Sequence, residues 1–314
     1  MSGRPLASLL AQRGVLILDG AIGTELERLG VDTSLPLWSA RVLLDAPDVL
    51  LQIHRGHLDA GADIIAANSW RTTPRTFRRA GLPDRSAELT RQSVAIAHHA
   101  RTFSPGRTIL VAGSMSPLED CYRPDLVPSD AELRAEHTLH ADRLASAGVD
   151  LLMLETFGTI REARIAGEAA LATGKEVIIS FLCRGDGRLY SGESLADAVQ
   201  ATSALPVSAL SINCAPARSL TRLVDDLRVA MSAHRKDGLD HLAVYGNVGR
   251  EGGEMDGEFV TEVSPADYGA LAASWAGHGA RIIGGCCGTT PEYIAAVRDA
   301  LAAFRTRPTH GGPA

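Results

Sequence analysis

Eight short apolar segments, separated by stretches with helical patterning, constrain the fold of this 314-residue chain more than any other feature. They are rich in Val, Ile, Leu and Ala, and they span residues 15–20, 62–68, 109–114, 149–156, 176–181, 207–214, 241–248 and 281–287. Continuous rather than alternating apolar residues are typical of strands buried on both faces, as in a parallel sheet covered by helices. Eight strand-helix units predict an α/β fold, a (β/α)8 TIM barrel, with a doubly wound open sheet as the alternative.

The stretches between the segments carry helix boundary signals. The stretch "DAPDVLLQIHRGHLDAGAD" (45–63) begins with Asp-Ala-Pro and closes with Ala-Gly, where the glycine fits a left-handed C-cap. No low-complexity linker marks a domain boundary, so we expect one barrel domain over 1–304 and a disordered tail over 305–314. The stretch 115–135 holds three prolines, and we expect it to form an elaborated loop over the barrel mouth.

Composition excludes several classes of protein. The 45% apolar and 22% charged fractions are those of a folded globular chain, and the net charge of -6 argues against a nucleic-acid partner. No segment approaches the roughly 18 apolar residues of a membrane span, and the first twenty residues lack a signal-peptide core. We therefore expect a cytoplasmic protein, in which the five cysteines are packing, metal-binding or catalytic residues rather than a disulfide framework.

The ends of the apolar segments are chemically dense, and in a TIM barrel these ends form the active site. They carry Asp19, Asn68, Ser114, Glu155, Cys214, Asn247, Cys286 and Cys287. Three thiolates from the sixth and eighth strands would face one mouth, and three protein ligands with an open fourth position are typical of a catalytic zinc site. The alternative is that the cysteines are small hydrophobic residues of the core. Adjacent strand residues point to opposite faces, so the cysteine pair needs an irregular backbone, which the neighbouring glycines allow.

Two further patterns have competing interpretations. The segment "IIGGCCGTTP" could cradle a phosphate at a helix N-terminus, with Thr289 or Thr290 as N-cap and Pro291 first in the helix. The absence of a Lys or Arg in that loop disfavours phosphate. Four histidines lie three residues apart in pairs, a spacing that metal sites can use, namely His54 with His57 and His137 with His140. Because they fall on the predicted outer helices, we expect them to be solvated.

The segments "LILDGAIGTELE", "HLDAGADIIAANSW", "LLMLETF", "SINC" and "IIGGCCGTTPEYI" resemble the signatures of the homocysteine S-methyltransferase family, over residues 15–300. That family consists of zinc-dependent (β/α)8 barrels. The resemblance implies Zn²⁺ as cofactor and Cys214, Cys286 and Cys287 as its ligands. It also implies homocysteine contacts from Asp19, Gly20 and Thr24, and a Glu155 carboxylate on the substrate ammonium group. For Asn247 we expect either substrate contact or ordering of the mouth.

The implied reaction is methyl transfer from a small donor to the zinc-bound thiolate of homocysteine, which gives methionine. The stretch "GSMSPLEDCYRPDL" departs from the "GSVGPYGA" of members that use S-methylmethionine, so the donor is left open. S-methylmethionine and S-adenosylmethionine are favoured, because the chain is too short to carry folate and cobalamin modules. In that loop we expect Cys121 and Tyr122 to form a solvent-facing pair.

Other functions are compatible with the same residues. The alternatives are a betaine or methylcobalamin-protein donor, another thiol or selenol acceptor, and a catalytically silent zinc or thiol sensor. Carboxylates at Asp19 and Glu155 count against the sensor, which has no need of ammonium binding. The expected partners are small-molecule substrates, and the sequence leaves a homo-oligomer open.

Overall fold

Eight parallel strands form the centre of the protein. The computed structural model describes residues 4–234, 241–249 and 261–305. The strands are β1 Leu16–Ile17, β2 Ile64–Ala67, β3 Leu110–Met115, β4 Leu151–Phe157, β5 Glu176–Phe181, β6 Ala209–Pro216, β7 His241–Asn247 and β8 Ala280–Gly285. They pair in the order β1-β8-β7-β6-β5-β4-β3-β2. A parallel bridge between Leu18 and Ile64 brings the chain after β1 onto β2. The sheet is thus a nearly closed barrel, which confirms the TIM-barrel prediction and makes the open-sheet alternative wrong.

Helices alternate with these strands along the chain. They are α1 Pro5–Arg13, α2 Gly23–Arg28, α3 Val42–Asp45, α4 Pro47–Ala60, α5 Pro74–Arg79, α6 Ser86–Arg101, α7 Asp130–Ala147, α8 Ile160–Ala172, α9 Leu195–Thr202, α10 Ala217–His234, α11 Pro265–Gly277 and α12 Pro291–Ala300. The predicted boundaries of α4 are confirmed, because Pro47 is its first residue and Gly61 follows it at φ +117°. None of the helices in the described part of the chain is both long and apolar enough to span a membrane.

The apolar core has two layers. One lies between the strands and the outer helices, and the other fills the inside of the barrel. Helix α1 contributes Leu6, Leu9 and Leu10 to the inner layer, where they pack with strand residues. Glu176 at the start of β5 accepts hydrogen bonds from the amides of Leu6 (2.7 Å) and Ala7. Helix α1 therefore closes the amino end of the barrel and leaves the carboxyl ends of the strands as the open mouth.

The histidine pairs are buried, so the expectation that they are solvated is wrong. The exposed fraction is 1% or less for His54, His57, His137 and His140. Residues three apart share a helix face, and in α4 and α7 that face is turned toward the protein interior rather than toward solvent. His137 Nε2 lies 3.1 Å from Glu162 Oε1 of α8, so this pair joins two helices instead of meeting water.

The C-terminal tail predicted over 305–314 lies, beyond Arg305, outside the described residues. Arg305 itself is anchored, since its guanidinium group donates to both carboxylate oxygens of the buried Asp63.

Candidate metal centre and active site

Three cysteine thiols meet at the barrel mouth. Cys214 lies in β6, and Cys286 and Cys287 directly follow β8. The Sγ atom of Cys214 is 2.7 Å from that of Cys286 and 3.4 Å from that of Cys287. Among the described residues, this trio is the one group of three or more His, Cys, Asp or Glu side chains whose ligand atoms all lie within 4.8 Å. The structure thus brings together the three residues that the strand positions and the resemblance selected.

The backbone leaves regular strand geometry where it presents these groups. Cys214 has a φ of +54° and Thr156 one of +64°, values that L-residues with side chains rarely adopt. The register shifts at the same places, between Leu154 and Phe157 and between Asn213 and Pro216. Bulges of this kind re-aim side chains at the rims of barrels, and a strained residue costs on the order of 1–3 kcal/mol.

The segment after β8 is fastened to the segment after β1. Thr289 Oγ1 donates to the Cys286 carbonyl oxygen (2.7 Å) and accepts from the Ala21 amide (3.1 Å). Thr24 Oγ1 accepts from the Gly288 amide at 2.8 Å. A Cβ atom on Gly20 would lie 2.7 Å from His57 Cε1 and 2.9 Å from Thr289 Oγ1, so only glycine fits there. Gly20 and Thr24, predicted to bind substrate, are therefore seen to shape the loop that carries the thiols.

These hydrogen bonds also bear on the phosphate interpretation. Pro291 begins α12 with Thr290 as its N-cap residue, as predicted, but the Thr290 side chain makes no capping hydrogen bond. The amides of Gly288 and Thr289 donate to Thr24 Oγ1 and to the Cys286 carbonyl oxygen. Amides already used within the protein are not available to a phosphate, so the loop holds the cysteines rather than an anion.

Asn213 is a functional candidate that the sequence analysis missed. Its Oδ1 atom accepts from the Thr156 amide (2.9 Å) and from Ser180 Oγ (2.8 Å), and its Nδ2 atom lies 3.9 Å from Cys286 Sγ. One buried amide therefore joins the ends of β4, β5 and β6 and reaches the thiol cluster. The sequence feature that could have identified Asn213 is its position directly before Cys214 in "SINC".

Two carboxyl groups lie at the same mouth, Asp19 buried and Glu155 partly buried. Asp19 is 3% exposed, and its Oδ2 accepts from the Ala66 amide at 2.8 Å. Glu155 accepts a hydrogen bond from the Ser114 hydroxyl. Burial, together with the nearby Cys286, raises the pKa of Glu155 to about 7 against the opposing effects of Ser114 and Tyr245. Burial likewise raises the pKa of Asp19 well above its usual range, and Glu155 adds to that rise.

The carboxyl pair is suited to a positively charged ligand. A cation between two buried carboxyls favours their ionised forms and removes the cost of burying charge. The buried Tyr245 hydroxyl lies close enough to Glu155 to affect the ionisation of its carboxyl group. Two carboxyl groups with raised pKa values beside a tyrosine hydroxyl at one barrel mouth are the environment expected of a ligand site.

The thiols cannot all be ionised without a cation. Hydrogen bonds from Cys214 and then Cys287 hold the pKa of Cys286 well below its usual range, while the hydrogen bonds of Cys287 to Cys214 and then Cys286 raise the pKa of Cys287. Like charges at this separation oppose one another, and a bound metal ion that displaces the protons removes the conflict. Tetrahedral zinc with Zn–S bonds of about 2.3 Å separates its sulfur ligands by about 3.8 Å, so Cys214 Sγ, at 2.7 and 3.4 Å from the other two sulfur atoms, needs only a small shift to ligate such an ion. The donor set fits a thiophilic metal ion.

Asn247 orders the backbone at the mouth. It is the last residue of β7 and is 5% exposed, and its Oδ1 atom accepts from the Gly249 amide at 2.7 Å. The Val248 amide donates to the carbonyl oxygen of Cys287 at 3.1 Å. Asn247 therefore sets the turn that holds the Cys287 backbone in place.

The loop between β3 and α7 is fixed at several points. Glu119 pairs with Arg75 (2.8 Å) and Arg79 (2.6 Å) of α5, and the Leu118 amide donates to Glu162 at 2.8 Å. Cys121 and Tyr122 are half-buried, which corrects the expectation of a solvent-facing pair. The Tyr122 ring packs edge-on against Tyr190, with ring centres 5.0 Å apart, because the loop leans on the segment after β5.

The chain is similar to methyltransferases over nearly its whole length. Residues 16–301 match the family described as homocysteine S-methyltransferase. A homocysteine S-methyltransferase of Escherichia coli (strain K12) is 34% identical, over 94% of this chain and 97% of the relative. A selenocysteine Se-methyltransferase of Brassica oleracea var. italica is 32% identical, over 93% of this chain and 90% of the relative.

Solved structures agree with the sequence comparisons. The homocysteine methyltransferase MmuM from Escherichia coli in its metallated form is 34% identical, with a TM-score of 0.79 over 94% of this chain and 99% of MmuM. Its oxidized form gives a TM-score of 0.81 at 33% identity, over 95% and 99% of the two chains. The chain therefore belongs to the homocysteine S-methyltransferase family and is a methyltransferase enzyme.

Proposed function

We propose that this protein is a zinc-dependent homocysteine S-methyltransferase that takes its methyl group from S-methylmethionine or S-adenosylmethionine and forms methionine. The observation that carries the proposal is the meeting of three thiols and two carboxyls with raised pKa values, Asp19 and Glu155, at one mouth. A site for an amino acid with a thiol side chain needs both groups: the cysteine cluster for the sulfur atom, through a metal ion, and the carboxyls for the ammonium group.

The metal would be held by Cys214, Cys286 and Cys287. Zinc bound by three thiolates supplies Lewis acidity, which lowers the pKa of an acceptor thiol and keeps it at the site. The existence of a metallated form of the similar homocysteine methyltransferase MmuM supports metal binding by this protein. Asn213 donates toward Cys286 Sγ and so orients one ligand, as second-sphere hydrogen bonds do in metal sites.

The remaining residues position the acceptor. Asp19 and Glu155 bind the ammonium group in their ionised forms, while the Ser114 hydroxyl fixes one Glu155 oxygen. The acceptor sulfur, which has already lost its proton, forms a bond to the methyl carbon as the bond to the donor sulfonium breaks. That electron pair stays on the donor sulfur, which becomes a neutral thioether. The chain contributes mainly by holding the two reactants in line.

The zinc dependence is tested by metal analysis together with activity. We expect one zinc per chain after reconstitution, and methionine formation from homocysteine that stops when a chelator removes the metal. Cys286→Ala should lose bound zinc and reduce methyl transfer by at least about 100-fold, because a ligand is removed. Cys183→Ala is the matched control, since Cys183 is a buried cysteine outside the trio. Full activity of Cys286→Ala would refute the zinc mechanism.

The two substrates are assigned by a panel. S-methylmethionine, S-adenosylmethionine, betaine and a methylcobalamin protein are compared as donors with homocysteine as acceptor. Selenocysteine is compared with homocysteine as acceptor, because the Brassica relative is a selenocysteine Se-methyltransferase. The proposal requires a sulfonium donor to give the highest kcat/KM, and a higher value with betaine or methylcobalamin contradicts it.

A further inference from the structure

A cavity of about 470 Å³ lies at the amino end of the barrel, at the opposite end from the thiols. We call it the basal cavity. Its lining residues come from the end of α1, the end of α4, the starts of β2 and β3, and α12 with the residues after it. They are Arg13, Asp59, Gly61, Asp63, Arg107, Arg298 and Arg305.

The basal cavity carries an excess of positive charge. Four arginines face two aspartates in its lining, which gives a formal charge of +2, whereas the whole chain has a net charge of -6. The positive charge is therefore a local feature and does not follow from a basic protein. Asp299 pairs with Arg298 from outside the lining and is 69% exposed, so solvent weakens its effect.

Asp63 is already included in the charge of +2, and its acceptor sites are all used within the protein. Its two oxygens accept from Arg13, from both terminal nitrogens of Arg305 (2.7 and 3.2 Å) and from the Ile17 amide (3.0 Å). A carboxylate has about four acceptor sites. All four are therefore filled.

Arg107 is left without a carboxylate at hydrogen-bond distance. Its nearest approach to Asp63 is 3.9 Å, and its terminal nitrogens donate to the carbonyl oxygens of Leu58 (2.6 Å) and Ala62 (2.7 Å). Burial lowers its pKa, and the charges of Arg13 and Arg305 act in the same direction against Asp63. The carbonyls fix the guanidinium group in place, and Asp63 at 3.9 Å compensates its charge only in part.

We infer that the basal cavity binds a small molecule that carries phosphate groups, a phosphate ester or an oligophosphate. Guanidinium groups bind phosphate oxygens through paired hydrogen bonds, and three half-buried arginines with fixed positions are arranged for that contact. A phosphate dianion balances the charge of +2 in the lining. The volume lies in the range of about 300–1,000 Å³ typical of small-molecule sites.

The glycine in the lining supports an open cavity. Gly61 has a φ of +117°, and a Cβ atom there would lie 2.7 Å from Arg298 Cδ. A side chain at this position would displace Arg298, whose Nη1 donates to the Ala60 carbonyl at 3.1 Å. The end of α4 thus holds Arg298 at the wall of the cavity.

The competing explanation is that the arginines only brace the floor of the barrel. Bracing alone gives no saturable binding of anions. We would titrate fructose 1,6-bisphosphate into the full-length, zinc-loaded protein at constant ionic strength by calorimetry, with tricarballylate as a carboxylate probe. Zinc content is measured before and after, to show that the probe leaves the metal in place.

Variants that change the charge of the cavity lining in opposite directions distinguish phosphate binding from bracing. Asp59→Asn removes an exposed negative charge from the lining and should tighten binding two- to tenfold, while Arg298→Gln should weaken it at least fivefold. Arg91→Gln, which removes an exposed positive charge on α6 outside the cavity, should leave the affinity unchanged. Asp59→Asn stays informative even if Arg298→Gln folds poorly. Absence of saturable binding, equal affinity in all variants, or equal affinity for tricarballylate overturns the inference.

Discussion

Burial decides what Glu155 can do. Its pKa, raised to about 7 chiefly by desolvation, makes the carboxyl neutral below that pH and ionised above it. A ligand ammonium group stays charged over the same range. The affinity of the site for an amino acid should therefore rise as the pH increases through 7, since only the ionised carboxylate pairs with the ammonium group.

Glu155→Gln should weaken amino-acid binding by about 30-fold or more. This factor corresponds to about 2 kcal/mol of binding free energy, the lower end of the cost of removing one partner of a buried charge pair. Methionine is the suitable ligand, because it has the ammonium group but no titrating thiol. Calorimetry from pH 6 to 8 should show increasing affinity in the parent protein and a flat profile in Glu155→Gln. Glu168→Gln, on the surface of α8, is the control. A pH-dependent profile that survives unchanged in Glu155→Gln would assign the titration to Asp19, the other carboxyl at the mouth, and contradict the role given to Glu155.

Asn213 positions the thiol cluster through its hydrogen bonds. Asn213→Ala removes the acceptor for the Thr156 amide and for Ser180, and it removes the donor toward Cys286. We expect metal affinity to fall about 10- to 100-fold, as for other second-sphere residues, measured by competition with a chromophoric chelator. Ser211→Ala is a control on the same strand, because the buried Ser211 hydroxyl has no hydrogen-bond partner among the described residues. Equal loss in both variants would indicate general disruption of β6.

At the scale of single elements, the apolar runs were the reliable signal. The segment predicted over 176–181 is β5, Glu176–Phe181, because a strand buried on both faces is apolar throughout. The segment predicted over 15–20 contains only the two strand residues of β1, because the chain then turns to aim Asp19 at the mouth. The positions of the thiols and carboxyls at strand ends identified them as candidate site residues, because the carboxyl ends of all the parallel strands meet at one end of the barrel.

The features that could not be predicted from the sequence depend on contacts between segments that are distant along the chain. Asn213 bonds to Thr156 and Ser180, and no local pattern marks such a partner. The inward orientation of the histidine pairs was missed for a related reason. Residues three apart define a face of a helix, but only packing decides whether that face meets the barrel or water. The closure of the amino end of the barrel by α1 was also not predicted. The leucines of α1 pack against strands that are distant in sequence; Leu6, for example, lies in one cluster with Ile282, 276 residues further along the chain.

Helix α1 should contribute to stability without contributing to chemistry. Leu9 is 2% exposed and fills the inner layer of the barrel, so Leu9→Ala leaves a cavity and should cost about 2–5 kcal/mol of unfolding free energy. Urea denaturation measures the loss. Val229→Ala, at a position 60% exposed on α10, should change stability by less than about 0.5 kcal/mol. Zinc content and the KM for homocysteine should be unchanged in folded Leu9→Ala, and a change there would place α1 in the working of the mouth.

At the scale of the whole molecule, the two ends of the barrel have opposite chemical character. The mouth gathers acidic groups and thiols that need a cation, and the basal end gathers guanidinium groups that exceed their carboxylates. The strands and the inner apolar layer separate the two. A ligand at one end can therefore be bound or lost without direct electrostatic contact with the other.

Buried histidines tie the stability of the whole fold to pH. Burial lowers the pKa of His54 to about 3, and of His57 and His140 to about 4, against 6.5 for an ordinary histidine. Below pH 6.5 the unfolded chain takes up protons that the folded chain does not, so these groups destabilise the fold progressively as the pH falls toward 4. Protonation of Glu155 acts in the opposite direction below pH 7, so the total change does not report the histidines alone.

His54→Leu isolates one histidine, since neither ring nitrogen of His54 has a hydrogen-bond partner among the described residues. At pH 7.5 we expect stability within about 1 kcal/mol of the parent, because no buried hydrogen bond is lost. At pH 5 the variant should be more stable than the parent by on the order of 2 kcal/mol, the linkage free energy of about one and a half pH units. Urea denaturation at pH 7.5, 6 and 5 measures the difference, with the exposed His99→Gln as control. A stability difference that stays constant with pH would show that His54 takes up its proton in the folded state and does not contribute to the acid sensitivity of the barrel.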